Sequence, residues 1–142
     1  MEFQLSDEQS LLVSTLRRFI DSELRPLEDA VELTGELAVE DAERILKNAR
    51  DLGFYAMNIP EQHGGGGLST LDWMLVEEQF GRTTDILIRR AFGNVYEILL
   101  AGTPEQQERW LIPSVKGRRI FSIAFTEPEA GSDAASIRTT AR

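Results

Sequence analysis

The sequence predicts a mainly α chain: a set of helices followed by the start of a β-rich region. Three observations carry this. Apolar residues recur at helical spacing over most of the first hundred positions. Capping residues and glycines punctuate those runs. After Gly117 the texture becomes β-branched and aromatic. With 142 residues, 42% of them hydrophobic, the chain is long enough for one buried core.

At the start of the chain, Ser6 and Gln9 form a capping box, in which the hydroxyl accepts from the Gln9 amide and the Gln9 side chain reaches back. Leu12, Leu16, Phe19, Ile20 and Leu24 continue at helical spacing, until Pro26 ends the helix, kinks it or opens a short second one. Gly35 breaks the segment after Pro26. A helix over 39–52 buries Ala42, Ile45, Leu46, Ala49 and Leu52. Gly53 is its left-handed stop, with Phe54 as the apolar contact beyond. The run IPEQHGGGGLS reads as a loop, since four glycines hold no regular element. Ser69 or Thr70 caps a helix whose apolar face is Leu71, Met74 and Leu75 and whose end is Gly81. One further helix is expected over 85–101, with Ile88, Ala91, Phe92, Val95, Leu99 and Leu100 inward and Gly102 as its stop. Thr103, Pro104 and Gln106 then cap and open a short helix anchored by Trp110 and Leu111 and closed by Pro113. Residues 119–126 read as a strand, 127–133 as a turn and 137–140 as the start of another strand. The sequence ends at Arg142 as though inside that element. The organisation is a helical domain over 1–117 and the truncated start of a β-rich domain over 118–142.

Composition excludes several functions. The net charge is −9 and the pI about 4.6. Nucleic acid and anionic membrane surfaces are therefore poor partners, since both are bound through basic patches. The pairs Arg17 and Arg18, Arg89 and Arg90, and Arg118 and Arg119 are isolated and read as solvated faces or ion-pair partners. No apolar run approaches the roughly 20 residues of a membrane helix. The acidic, polar start MEFQLSDEQ lacks the pattern of a signal peptide. With no cysteine, there is no disulfide framework. These features together read as a cytoplasmic protein. One histidine, His63, cannot form a histidine metal cluster, and no carboxylate spacing suggests a metal. The glycines at 64–67 lack the Lys-Ser/Thr of a phosphate loop and read as loop and helix entry. Adjacent Glu77 and Glu78 do not share a helix face and are not a catalytic dyad.

The most informative run is AFTEPEAGSD, residues 124–133. By its chemistry it is a strand delivering Thr126 into a Pro/Gly turn, with hydroxyls at Thr126 and Ser132. Such a turn suits a phosphate-bearing ligand, but residue chemistry alone favours a plain Asx/Ser turn between two strands. The run resembles the signature A-x-T-E-P-x-A-G-S-D of the acyl-CoA dehydrogenase family at every specified position. SDEQ, LGF followed by IPEQHGGGGLS, and LLAGTPEQQERWLIPSVKG occur in the order and at about the spacing of that family's N-terminal region. The resemblance covers essentially the whole chain.

It implies a helical N-terminal domain entering a β-barrel middle domain, with a C-terminal four-helix bundle beyond. It implies FAD as cofactor, an acyl-CoA thioester oxidised at Cα–Cβ as substrate, electron-transfer flavoprotein as acceptor and a homo-oligomer. Carried over by position, Ile123, Phe125 and Thr126 would lie along the flavin. Gly131 and Ser132 would approach its diphosphate, and Ser132 would also touch the acyl-CoA. Helices around 71–81 and 86–100 resemble those walling the acyl pocket. Ile123 stands where several members carry an aromatic residue. Gln79 with Arg89 and Arg90 is more polar than a long plain acyl chain requires, which suggests a short, polar or unusual acyl group. The family's second flavin stretch, catalytic Glu and CoA-binding Arg have no counterpart here, so no catalytic residue is assigned and the chain is expected to be inactive alone. Two other readings remain: a short subunit whose site a partner completes, and a non-catalytic helical interaction module.

Overall fold

A computed structural model describes residues 4–93 and 95–140. The first three residues of the acidic start and the last two of the strand-like end lie outside them. The described residues form helices α1 (Asp7–Phe19), α2 (Glu28–Thr34), α3 (Val39–Asp51), α4 (Thr70–Phe80), α5 (Asp85–Phe92), α6 (Pro104–Gln106) and α7 (Ile112–Val115).

Helix α1 begins as its sequence dictates, with both arms of the Ser6–Gln9 capping box formed. It does not stop at Phe19. A π turn over Ile20–Leu24 and a 3-10 turn over Arg25–Leu27 carry the chain into α2, with Pro26 inside the 3-10 turn. Proline is tolerated there because the first residues of a turn need no N–H partner. Gly35 ends α2 at φ +70°. After α3, the Phe54 N–H bonds to the Ala49 carbonyl at 2.8 Å and the Gly53 N–H to Arg50 at 3.0 Å. With Gly53 at φ +74° this is the left-handed stop the sequence predicts, and Phe54 turns into the core.

Helices α1 and α4 run parallel. Gln9 Nε2 donates to Asp72 Oδ1 at 2.8 Å near their starts, and Arg17 Nε donates to Gln79 Oε1 at 2.7 Å further along. Arg82 then reaches both Asp21 oxygens at 3.2 and 3.3 Å. Helix α3 packs on α5. The main core gathers Leu16, Phe19, Ile45, Phe54, Val76 and Phe92. Phe19 meets Phe54 and Phe92 edge-on at 5.8 and 5.5 Å, and Phe80 stacks on Phe92 at 4.7 Å. These are the geometries an aromatic quadrupole favours. A smaller cluster of Ala56, Ile59, Val95, Leu111 and Val115 lies beside it.

Five expectations are corrected. Leu52 is 53% exposed rather than buried, because α3 ends at Asp51 and Leu52 stands beyond its last turn. On α4, Leu71 and Met74 face outward, while Val76 and Gln79 are buried and Trp73 and Phe80 pack on the core. Apolar residues ring this helix, so spacing alone did not single out a face. The expected helix over 85–101 breaks after Phe92, where Gly93 has φ +85°, and resumes as a 3-10 turn over Glu97–Ala101; position 94 lies outside the described residues. A Cβ at 93 would sit 2.8 Å from the Tyr55 ring, a contact no local pattern reveals. Pro113 does not close its helix. A π turn over Gln107–Leu111 bonds the Ile112 N–H to Gln107, and α7 runs on to Val115. Leu111 is fully buried, but Trp110 is 41% exposed, with the Arg109 and Arg119 guanidinium groups 4.9 and 4.7 Å from its ring centroid. Finally, 119–126 and 137–140 form no strand among the described residues. The one bridge joins Glu127 and Ala130. A strand needs a neighbour to accept its ladder, and no other described segment offers one.

Candidate functional site

The chain leaves α7 through Gly117, at φ +64°, and passes Tyr55 on its way to the signature run. Phe121 meets the Tyr96 ring at 5.3 Å and so ties this passage to the segment after α5. Beyond it, Ile123 and Phe125 are more than half exposed. Glu127 and Ala130 then exchange both backbone hydrogen bonds, at 2.9 and 3.2 Å, which closes a tight turn around Pro128 and Glu129. Ala130 is buried under it.

This turn brings Thr126 beside Gly131. A Cβ at 131 would have the Thr126 methyl at 3.9 Å as its nearest neighbour, so the space above Gly131 is open. Thr126, Gly131 and Ser132 are all exposed. Among the described residues neither hydroxyl is engaged in a hydrogen bond. The predicted positions are therefore all exposed, apolar at Ile123 and Phe125, hydroxyl-bearing at Thr126 and Ser132, unobstructed at Gly131, and the turn brings Thr126 and Gly131 together. That chemistry fits a flat, apolar ring system with polar edges and an adjoining phosphate. Residues 123–132 include no Lys or Arg, so they offer a phosphate hydrogen bonds without counter-charge.

One member of the run behaves differently. The Glu127 carboxylate turns back onto its own chain. Its Oε2 accepts the Arg138 N–H at 2.9 Å, and Oε1 accepts both the Thr139 N–H at 2.8 Å and the Thr139 hydroxyl. The Thr139 hydroxyl, then the two N–H groups, hold the carboxyl below its ordinary pKa, since donors aimed at the charged form favour it. Sequence reading did not single out Glu127, because a partner a dozen residues away leaves no periodic or local signal.

Two clefts adjoin α5. The first, of about 580 Å³, is lined by Trp73, Glu77, Phe80, Asp85, Arg89 and Tyr96 among others. Arg89 pairs with Asp85 at 2.5 Å and donates to the Tyr96 hydroxyl at 3.1 Å. Burial raises the Glu77 carboxyl, Arg89 opposes that rise, and Glu97 adds to it. Asn58 caps the far wall, donating to Glu97 at 2.5 Å and to the Val95 carbonyl at 2.9 Å. The second cleft, of about 520 Å³, has apolar lining at Leu37, Val39, Leu46 and Ile86, and Arg90 and Arg119 also line it. Gln79 belongs to neither. Its buried amide is taken up by Arg17 and the Leu75 carbonyl, so its polarity serves the α1–α4 contact.

The glycines at 64–67 are no phosphate cradle. Their N–H groups bond in turn to Glu61, Pro60, Ala56 and Ile59 carbonyls at 2.8–3.3 Å, so none is left for an anion. No group of three metal-ligating side chains occurs among the described residues, and no helix is long and apolar enough to cross a membrane.

A family model described as acyl-CoA dehydrogenase, N-terminal domain, matches residues 6–118. The chain is 31% identical to the 3-(aryl)acrylate reductase of Clostridium sporogenes, over 96% of this chain and 36% of that protein. It is 31% identical to the caffeyl-CoA reductase-Etf complex subunit CarC of Acetobacterium woodii, over the same shares. The crystal structure of an acyl-CoA dehydrogenase from Geobacillus kaustophilus superposes with a TM-score of 0.74 at 26% identity, across 96% of this chain and 36% of that one. The chain thus spans roughly a third of the length of the curated relatives it matches.

Proposed function

Because the chain belongs to the acyl-CoA dehydrogenase family through its N-terminal domain, we propose that it is part of an FAD-dependent enzyme oxidising the Cα–Cβ bond of an acyl-CoA thioester. The observation that carries this is the intact AFTEPEAGSD run, whose Thr126, Gly131 and Ser132 are exposed, with both hydroxyls unengaged among the described residues. When bound, FAD supplies the acceptor for the hydride that leaves Cβ. This chain's part is to bind and orient. Phe125 and Ile123 cover an apolar ring face, Thr126 bonds a polar edge, and Gly131 with Ser132 admits the diphosphate, Ser132 also reaching the acyl-CoA. No residue of this chain is assigned as the base that takes the α-proton. On this reading residues 1–117 are the helical domain and 118–142 the first part of a flavin-binding one.

The first cleft beside α5 is the acyl wall. The Asp85–Arg89–Tyr96 array and Glu77 make it polar, which supports a short or polar acyl group over a long plain chain. Electron-transfer flavoprotein is the proposed electron partner, supported by the Etf complex named for the Acetobacterium relative. A homo-oligomer is proposed on the apolar side chains exposed along α4. A cytoplasmic location is proposed as well; the cysteine-free composition fits a reducing compartment without itself fixing the location.

Flavin fluorescence tests the central claim. Titrating the chain into FAD should quench emission to a saturating end point, and Thr126→Ala with Ser132→Ala should weaken that binding. Emission unchanged at a large excess of chain would overturn the reading.

A further inference from the structure

Glu127 is committed to its own backbone rather than to the open surface beside it. Through its N–H and carbonyl it closes the tight turn to Ala130. Through its carboxylate it closes a wider ring to Arg138 and Thr139. Thr126 stands just before that ring, and Gly131 and Ser132 lie inside it. The remaining hydrogen bonds in the ring are local: the Ser136 N–H and hydroxyl return to Asp133, and the Ile137 N–H returns to Ala134. Among the described residues, the Glu127 carboxylate is therefore the long-range tie of this segment. Closing a loop of this length carries an entropic cost that some contact must offset. Three donors converging on one carboxylate are a strong way to do so.

We propose that Glu127 is a positioning residue that clasps positions 138 and 139 and so holds Thr126 and Ser132 at the spacing their ligand requires before that ligand arrives. Glu127 acts through those two hydroxyl residues and does not itself touch the flavin. The inference rests on reading their surface as the flavin contact. A preformed surface spares the ordering that binding would otherwise demand, so loss of the clasp should appear as weaker binding. The carboxyl's lowered pKa agrees with a clasp made by the charged form.

The test uses the whole chain, Glu127→Ala, Glu127→Gln and Thr139→Val, with two readouts. Without flavin, amide chemical shifts and hydrogen exchange report the Arg138 and Thr139 N–H groups directly. Glu127→Ala should move both shifts and abolish their protection while the helical circular dichroism stays unchanged. Unchanged amides would overturn the clasp whatever FAD does. With flavin, Glu127→Ala should weaken FAD binding about tenfold, an effect of the size that lost preorganisation produces. Glu127→Gln, which keeps one acceptor oxygen, and Thr139→Val, which removes only the hydroxyl, should fall between. FAD bound equally well by wild type and Glu127→Ala would overturn the positioning role and leave the proposed function standing. FAD bound by neither would overturn both.

Discussion

A Cβ at Gly65 would lie 2.1 Å from the Ile59 carbonyl oxygen, whereas one at Gly35 would meet nothing within 4 Å despite φ +70°. The two glycines therefore answer different demands, one for space and one for backbone conformation. Gly65→Ala should cost about 3 kcal/mol through forced backbone movement. Gly35→Ala should cost about 1 kcal/mol for the left-handed backbone alone. Urea unfolding midpoints give the order. Arg17 and Arg18 separate in the same way. Arg17→Ala strips the buried Gln79 oxygen of its donor and should cost about 1–3 kcal/mol. Arg18→Ala, on an exposed side chain, should stay within about 0.5 kcal/mol. At this scale a ten-residue run marked Thr126, Gly131 and Ser132, all three of them exposed. Gln79 was misread as pocket polarity and Glu127 went unmarked, because the partners that define them, at positions 17, 138 and 139, are distant along the chain.

Helix starts were legible because a cap is a local arrangement among four residues. Ser6 and Thr103 both cap as read, each with its glutamine three places on. Thr103→Ala should lose about 1 kcal/mol, checked by thermal unfolding. Ser69 also caps, and here the helix adds a carboxylate. The Ser69 hydroxyl first, then Gln9, hold the Asp72 carboxyl below its ordinary pKa. A carboxyl depressed in the folded state contributes stability above its unfolded pKa and loses it as pH falls through the lower folded value. Asp72→Asn should therefore narrow the stability gap between neutral and strongly acidic pH, and equal gaps in the two proteins would refute the link. Helix interiors and ends were less legible. The break at Gly93 depends on Tyr55, and the passage of α6 into α7 depends on a π turn that leaves Pro113 no bond to forfeit.

Across the whole molecule, the helical class and the change of texture after Gly117 could be read directly, since both rest on composition and period. The parallel pairing of α1 with α4 could not, as its contacts join residues more than sixty positions apart. Nor could the outward turn of Leu71 and Met74, which with Leu11, Ile98 and Phe125 leaves large apolar side chains in water. The chain should bind a hydrophobic dye, and Leu71→Lys with Met74→Lys should reduce that binding while moving stability by no more than about 0.5 kcal/mol each. The glycine loop carries one more consequence. A run of four glycines is where a proteolytic enzyme would be expected to nick first, because cleavage requires several residues to be drawn out and threaded through the protease cleft. Here each of those N–H groups is already bonded to the stretch 56–61, so threading would mean unzipping the loop bond by bond. Limited digestion should leave this stretch intact long after the exposed tail near Ser132 has been cut.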